Sequence, residues 1–554
     1  MAAASPTAPV SRWRELAALV LLAVLAVMVV GPDQLRPGAA AFGEPTRDLF
    51  DHLALLDAWF VQTTDWNFPD GGSLIPPDLF GMLLASPFLG WGRGTAYNIA
   101  VTAQLTFACW GAWALCRRHG SGLVGGIVFG LCPYLVGQAG SGEAETLSAW
   151  PLPLVLLGLD REDRPGAVLA GVAAAAAAVG SWYHGAFAGV VMLGWLLVRG
   201  RPGTAKGTAG AALAPLVFGA LIAIPAAIYA SSLVSTDQLY RGPTMATYLL
   251  EQPRALAAMS ADVLGWVGRA PAGANHVDNL GGLVPVLALA GLMSLRRVDR
   301  ARARMLGGLV VFALVLSLGP VLHVGGEAVF SWMPGRVLSV LPGLGLMRLP
   351  HRWMVVVMLP LAVLVARVGR HSPLLVSGLL VAELFWFTGP ARSLVSVDPP
   401  LIHTAIRGPV LDLPVRTLGV DARGRFLLWQ RTHGHPTPYS LLMTAWSPTL
   451  AQEPLFVAAA AVDPANSLPL RVVEARQFRQ EDFAKAVRAA RRDDLEALRP
   501  LLDGAPERLR GLGLTEVVLH LELCEGGADP LSALLVDTLG EPDLRTDGAL
   551  LWHL

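Results

Sequence analysis

The sequence predicts an all-α polytopic membrane domain of about eleven transmembrane helices, followed by a small soluble α/β domain. Three observations carry that expectation. The 554 residues are 53% hydrophobic and only 15% charged, against about 25% charged in an ordinary soluble domain. Long apolar runs extend to about Trp386 and then stop. The chain beyond is charged and mixed, so the composition shift marks a domain boundary. The boundaries expected are 1–389 for the membrane domain, with a large first outer loop over 31–95, and 390–554 for the soluble one.

Arg12 and Arg14 precede the first apolar run, Leu16–Val30. Gly31-Pro32-Asp33 follows it instead of a small-residue cleavage site, so it reads as a retained first helix. Further runs of near-spanning length follow. The apolar stretch Asp78–Trp91 contains Pro87 and is short, which suggests a re-entrant or interfacial helix.

Orientation follows from basic residues. With a cytoplasmic N-terminus and alternating spans, sixteen basic residues fall in the short cytoplasmic connections and nine in the longer outer loops. The cytoplasmic groups are Arg12/Arg14, Arg117/Arg118, Arg161/Arg164, Arg199/Arg201/Lys206, Arg296 to Arg304, and Arg367/Arg370. The expected setting is a plasma (inner) membrane with the C-terminal domain extracytoplasmic. Long loops tend to be functional, and the long ones here lie outside. Net charge is zero, so nothing points to nucleic acid. The bilayer is the expected partner. The four cysteines show no paired or zinc-ligand spacing and read as small buried hydrophobes.

Polar residues of the outer loops supply the candidate site. After the first span, Leu49, Leu53, Leu56 and Phe60 have helical spacing. Asp48, Asp51 and His52 share the opposite face, which suggests an interfacial amphipathic helix with carboxylates near its start. A merely solvated helix start is the alternative. Pro69-Asp70-Gly71-Gly72 reads as a turn. Glu143 and Glu145 follow the third span, and His184 sits in a two-helix hairpin beside Tyr183. Acidic groups next to apolar spans are costly unless they serve a wet cavity. Arg348 and Arg352 run against the inside-positive trend, and paired arginines suit phosphate.

These stretches resemble the GT-C superfamily of membrane glycosyltransferases, more narrowly YfhO-like and mannosyltransferase-like bacterial proteins. The resemblance is carried by Arg47-Asp48-Leu49-Phe50-Asp51-His52, Phe68-Pro69-Asp70-Gly71-Gly72, Ala96-Tyr97-Asn98, Glu143 to Pro153, Met347 to Arg352, and Trp429 to Pro436. It implies transfer of a sugar from a polyprenyl-phosphate-linked donor to an outer acceptor. An aspartate of the first outer loop then acts as general base: Asp48 first, Asp51 second, with His52 orienting it. Glu143, Glu145, His184, Arg348 and Arg352 would bind substrate, and Glu143 or Glu145 could also hold a divalent cation. The paired acidic dipeptide common in the family is absent, since Leu49 follows Asp48. That feature favours the competing reading, a non-catalytic GT-C-like protein that binds lipid or assists envelope assembly. A transporter would require inverted repeats, which are not seen.

The tail reads as strand Pro409–Pro414, helix Gln480–Leu502, strand Thr515–Leu521, helix Pro530–Leu539 and strand Ala549–Leu554. No phosphate loop, metal cluster or catalytic triad is expected in it. His433 and His435 flank a glycine and read as loop residues.

Overall fold

A computed structural model of the chain describes residues 12–45, 49–199, 279–387, 393–415, 420–439, 449–462 and 499–554, less short gaps within them, and scattered positions over 213–267. Two compact units emerge. The first comprises Met1–Gly43, Pro77–Ile228 and Gly242–Ser393; the second comprises Glu44–Pro76, Tyr229–Arg241 and Leu394–Leu554.

The first unit is a helical bundle. Among the described residues, three helices are long and apolar enough to cross a membrane: Arg12–Val30, Arg93–Cys116 and Pro350–Gly369. Gly122–Gly130 and Pro133–Gly140 pass the same test only as a pair, bent by 42°. Pro133 causes that break, because it has no N–H to continue the helix. Other apolar helices, among them Arg164–Gly180, Trp182–Leu197 and Pro373–Trp386, are shorter. The expected count of about eleven spans is therefore not met by helix length. The apolar run Leu147–Leu159 gives a helix of 11 residues, Pro151–Arg161. Asp78–Trp91 is split as its proline suggests, into the helix Leu79–Ala85 and a 3-10 turn, Ser86–Trp91.

Small residues let the helices approach closely. A Cβ at Gly130 would strike the Cys109 backbone, and one at Gly158 would meet the Gly166 carbonyl at 2.5 Å. Burial is graded. The Arg12–Val30 helix buries only Leu22, Ala26 and Val30, whereas Met354–Gly369 is buried along almost its whole length. All four cysteines are buried and free.

Polar contacts gather the arginine-rich connections at one end of this bundle. Arg117 meets Glu15 at 3.2 Å. Asp160 accepts from Arg302 at 2.7 Å and lies 3.1 Å from His119 Nε2. Arg367 Nε donates to Ser294 Oγ at 3.1 Å. Five of the six basic groups read from the sequence thus share one end; the sixth, around 199–206, falls largely outside the described residues.

In the second unit a four-stranded sheet has the order Val410–Leu413, Glu516–His520, Ala549–His553, Leu544–Arg545. The first pair is parallel, with Asp412 opposite Val518, and the others are antiparallel. All five residues of Glu516–His520 are buried, as befits an inner strand covered on both faces. Ile402, Ile406, Val410, Val518, Ala549 and Leu551 form a core on one of those faces. The three tail strands and the helix Ala528–Leu539 agree with the sequence reading; most of Gln480–Leu502 lies outside the described residues.

The chain from 49 to 74 also belongs to this unit. Helix Leu49–Leu55 packs on helix Val420–His433 so closely that a Cβ at Gly424 would meet Asp51 Oδ1 at 2.5 Å. Trp66 Nε1 donates to Gln430 Oε1 at 2.6 Å, and Thr437 N–H donates to the Asp65 carbonyl at 2.8 Å. Strands Val61–Thr63 and Gly72–Leu74 pair antiparallel; the middle of the expected turn, Asp70-Gly71, lies outside the described residues.

Candidate functional site

The bundle's polar centre lies at the start of the Pro350–Gly369 span. Arg352 and Arg367 are fifteen residues apart on it, about 23 Å at the helical rise, so this centre is at the end opposite the basic connections. Leu349 and the turn Pro350–Trp353 set Arg352 inward, where it is 5% exposed. Its NH2 group donates to Glu143 Oε2 at 2.9 Å and to Glu145 Oε1 at 2.8 Å. Its guanidinium lies 4.6 Å from the centre of the Tyr183 ring, a cation–π contact. Gln138 Nε2 adds a hydrogen bond to Glu143 Oε2 at 2.8 Å. Glu143 and Glu145 reach Arg352 because the helix Pro133–Gly140 ends early and a 3-10 turn, Ala144–Leu147, follows.

A second polar group adjoins the first. Ser148 Oγ donates to Gln104 Oε1 at 2.7 Å and lies 3.2 Å from Asp78 Oδ1. Gln104 Nε2 donates to Asp78 Oδ2 at 3.3 Å. Asp78 also caps the helix Leu79–Ala85, accepting from the Gly81 N–H at 2.9 Å. His184 is buried, with the Ser148 backbone and the charges of Arg352 and Glu145 acting on its ring, which links the two groups. The sequence reading passed over Asp78. Its signal was the one that singled out Glu143 and Glu145, an acidic residue against an apolar run.

Three carboxylates and one guanidinium, held in an apolar bundle, can bind hydroxyls or a cation. Arg352 is already clamped by two carboxylates, so it would take up a phosphate only by exchanging one of them. Its Nε has no hydrogen-bond partner among the described residues.

The structure brings Glu143, Glu145, His184 and Arg352 together. Arg348 is half-buried, four residues before Arg352. Asp51 and His52 lie in the second unit. Their helix is not an exposed amphipathic one: His52 is 8% exposed, and only Asp51 of its seven residues escapes full burial. Packing against Val420–His433 covers the face expected to be polar. Asp48 lies outside the described residues.

The second unit holds a cluster that the sequence reading did not anticipate. His403, Asp412 and His520 present ligand-type atoms within 4.8 Å of one another. Asp412 and His520 point from the same sheet face, since Asp412 pairs with Val518 and side chains alternate. His520 Nε2 lies 2.9 Å from Asp412 Oδ1, and His403 Nε2 lies 3.9 Å from the same oxygen. Trp429 and Phe426 wall the cluster, with ring centres 5.0 and 5.3 Å from that of His520. Burial pushes Asp412 up to about 6, His403 down to about 4 and His520 down to about 3.

No family model and no curated relative matches the chain. Among solved structures it is similar to arabinofuranosyltransferase AftD from Mycobacteria, at 18% identity and a TM-score of 0.45, over 93% of this chain and 37% of that one. It is also similar to an oligosaccharyltransferase of Archaeoglobus fulgidus solved with Zn and sulfate, at 10% identity and a TM-score of 0.40, over 93% of this chain and 70% of that one. A third is the archaeal oligosaccharyltransferase AglB from the same organism, in complex with an inhibitory peptide and a dolichol-phosphate, at 12% identity and a TM-score of 0.36, over 94% and 71% of the two chains.

Proposed function

We propose that this chain is a membrane glycosyltransferase that moves a sugar from a polyprenyl-phosphate carrier to an acceptor outside the cytoplasm. One observation carries the reading: the Glu143–Arg352–Glu145 clamp with its Asp78–Gln104–Ser148 neighbours, buried at the bundle end opposite the basic connections. Ionisable groups are retained inside an apolar bundle at a cost that a structural role alone could avoid. Carboxylates and amides in such a place suit sugar hydroxyls or a divalent cation. The basic end then faces the cytoplasm, and the polar centre and the C-terminal domain lie outside. Arg348 is assigned to the departing lipid phosphate, whose negative charge a guanidinium stabilises as the bond breaks. Asp48 is assigned as general base on the sequence pattern, with Asp51 the alternative and His52 its neighbour.

The test uses the full chain reconstituted in bilayers with polyprenyl-phosphate sugars, following the release of polyprenyl phosphate. The wild type is expected to consume a lipid-linked sugar. Asp48→Asn should lower the rate by about 10²–10⁴-fold, the range for a lost general base, and Asp51→Asn should lower it less. If Asp51→Asn abolishes transfer while Asp48→Asn does not, the base is one helical turn further on. If no lipid-linked sugar is consumed, the non-catalytic reading takes over.

A further inference from the structure

His403 is 1% exposed, and neither of its ring nitrogens has a hydrogen-bond partner among the described residues. Asp412 is fully buried, and its Oδ2 likewise has no partner there. Two such groups in one apolar pocket are unusual, because a buried polar atom without a partner is costly. The His403 Nε2–Asp412 Oδ1 distance of 3.9 Å is too long for a hydrogen bond. It is close to the separation of two ligands on one ion. With ligand bonds of about 2.0–2.1 Å, tetrahedral ligands stand about 3.3 Å apart, and the two distances here, 2.9 and 3.9 Å, lie on either side.

We propose that His403, Asp412 and His520 form a metal site of the second unit, holding one divalent transition ion, zinc by ligand type, through two imidazole nitrogens and the Asp412 carboxylate. Imidazole donors favour zinc over the hard cations magnesium and calcium, which take oxygen. Ligation through His520 Nε2 moves that proton to Nδ1, which has no partner among the described residues. Asp412 Oδ2 can complete the shell by bidentate binding. His433 stacks on His403 with ring centres 5.4 Å apart. Its Nδ1 accepts the His435 N–H at 3.1 Å, which leaves the proton on Nε2, so His433 acts as a cover and not as a ligand. The ion would tie the turn Leu401–Thr404 to the two parallel strands, a structural role suited to a site closed to solvent. The burial that keeps both histidines neutral also favours metal binding, since ligating imidazole must be unprotonated.

The experiment uses the full chain in detergent, dialysed against a chelator, re-exposed to zinc and freed of loosely bound ion. Elemental analysis should find about one equivalent of zinc per chain, and cobalt(II) should give the visible bands of a tetrahedral N/O site. His403→Gln and Asp412→Asn should lose both signals. His435→Gln should keep them, as should the double variant Glu143→Gln, Glu145→Gln, which removes the acidic pair of the first unit. The wild-type measurement decides even where a variant fails to fold. No retained zinc and no cobalt bands in folded wild type overturns the site and leaves a buried His–Asp hydrogen bond. Retention of the ion by folded His403→Gln, or its loss on removing the acidic pair, overturns the ligand assignment.

Discussion

The clamp Glu143–Arg352–Glu145 and the cluster His403–Asp412–His520 both place ionisable groups among apolar side chains, and they meet the cost of burial in opposite ways. In the helical unit a permanent cation lies between two carboxylates, and charge is offset by charge. In the α/β unit a single carboxylate faces neutral imidazoles, and several polar atoms have no partner among the described residues. The first arrangement ties the segment of Glu143 and Glu145 to that of Arg352 through paired charge, although Arg352 Nε has no hydrogen-bond partner among the described residues. In the second, the proposed ion would supply the opposite charge. Burial alone therefore does not distinguish the two polar clusters; the charges present and how they are paired do.

The largest effect should come from breaking the charge-paired cluster. Arg352→Met removes the cation and leaves two carboxylates facing each other in an apolar place. Breaking a buried pair from one side typically costs about 3–5 kcal/mol. The expected result is a clear drop in thermal unfolding temperature in detergent. Adding Glu143→Gln and Glu145→Gln to the same protein should recover most of it, because no uncompensated charge remains. If Arg352→Met melts like the wild type, the clamp is not holding the segments, and the contrast between the two units loses its first half.

A smaller effect sharpens the contrast with a third kind of buried carboxylate. Asp262 accepts N–H donors from Leu264, Gly325 and Gly326 at 2.8, 3.0 and 2.8 Å. Burial alone would raise its pKa, but these backbone donors outweigh it and hold the carboxyl below its ordinary value. A depressed folded value gives stability that is present above the unfolded pKa and lost as pH falls through the folded one. Asp262→Asn should cost about 1–2 kcal/mol near neutral pH, the range for hydrogen bonds to a charged acceptor. It should also flatten the acid limb of the unfolding curve. An unchanged acid limb would show that Asp262 does not contribute to it.

How much of this was legible in the sequence depends on how each feature is encoded. Glu143, Glu145 and Arg352 could be picked out because each is a charge beside an apolar run, a purely local signal. Asp78 carried the same signal, but it opens a helix, and a cap is an ordinary use of aspartate. The strands around Val410–Leu413 and Glu516–His520 were readable from their apolar content. Their parallel pairing was not, because it joins segments 108 residues apart, as Asp412 and His520 are. His403, Asp412 and His520 consequently have no spacing that suggests a metal site. The helix Leu49–Leu55 was read correctly as a helix and wrongly as half-exposed, since periodicity in one segment cannot reveal a second helix packed over its polar face. The count of about eleven spans rests on apolar runs shorter than a full crossing, and among the described residues three helices, or four with the bent pair, are long enough by themselves.

The smallest effect tests the second half of the comparison. His403→Phe keeps a planar ring in its place between the Trp429 and His433 rings, whose centres lie 5.1 and 5.4 Å away. It deletes two buried nitrogens that make no hydrogen bond with the described residues. Replacing a buried polar group by an apolar one of similar shape is nearly neutral when no partner is stranded, and a volume-conserving change usually costs less than about 1.5 kcal/mol. In chelator, then, the variant should unfold within about 1 kcal/mol of the wild type, or be slightly more stable. Zinc should separate the two proteins. An ion that binds only the folded state stabilises by about 2.7 kcal/mol at a hundred times its dissociation constant, and only the wild type should gain it. Urea unfolding of the reconstituted chain, read from the α/β unit with and without zinc, measures both differences. A loss of several kcal/mol in chelator would mean that His403 already has partners, and the two clusters would then be the same kind of structure.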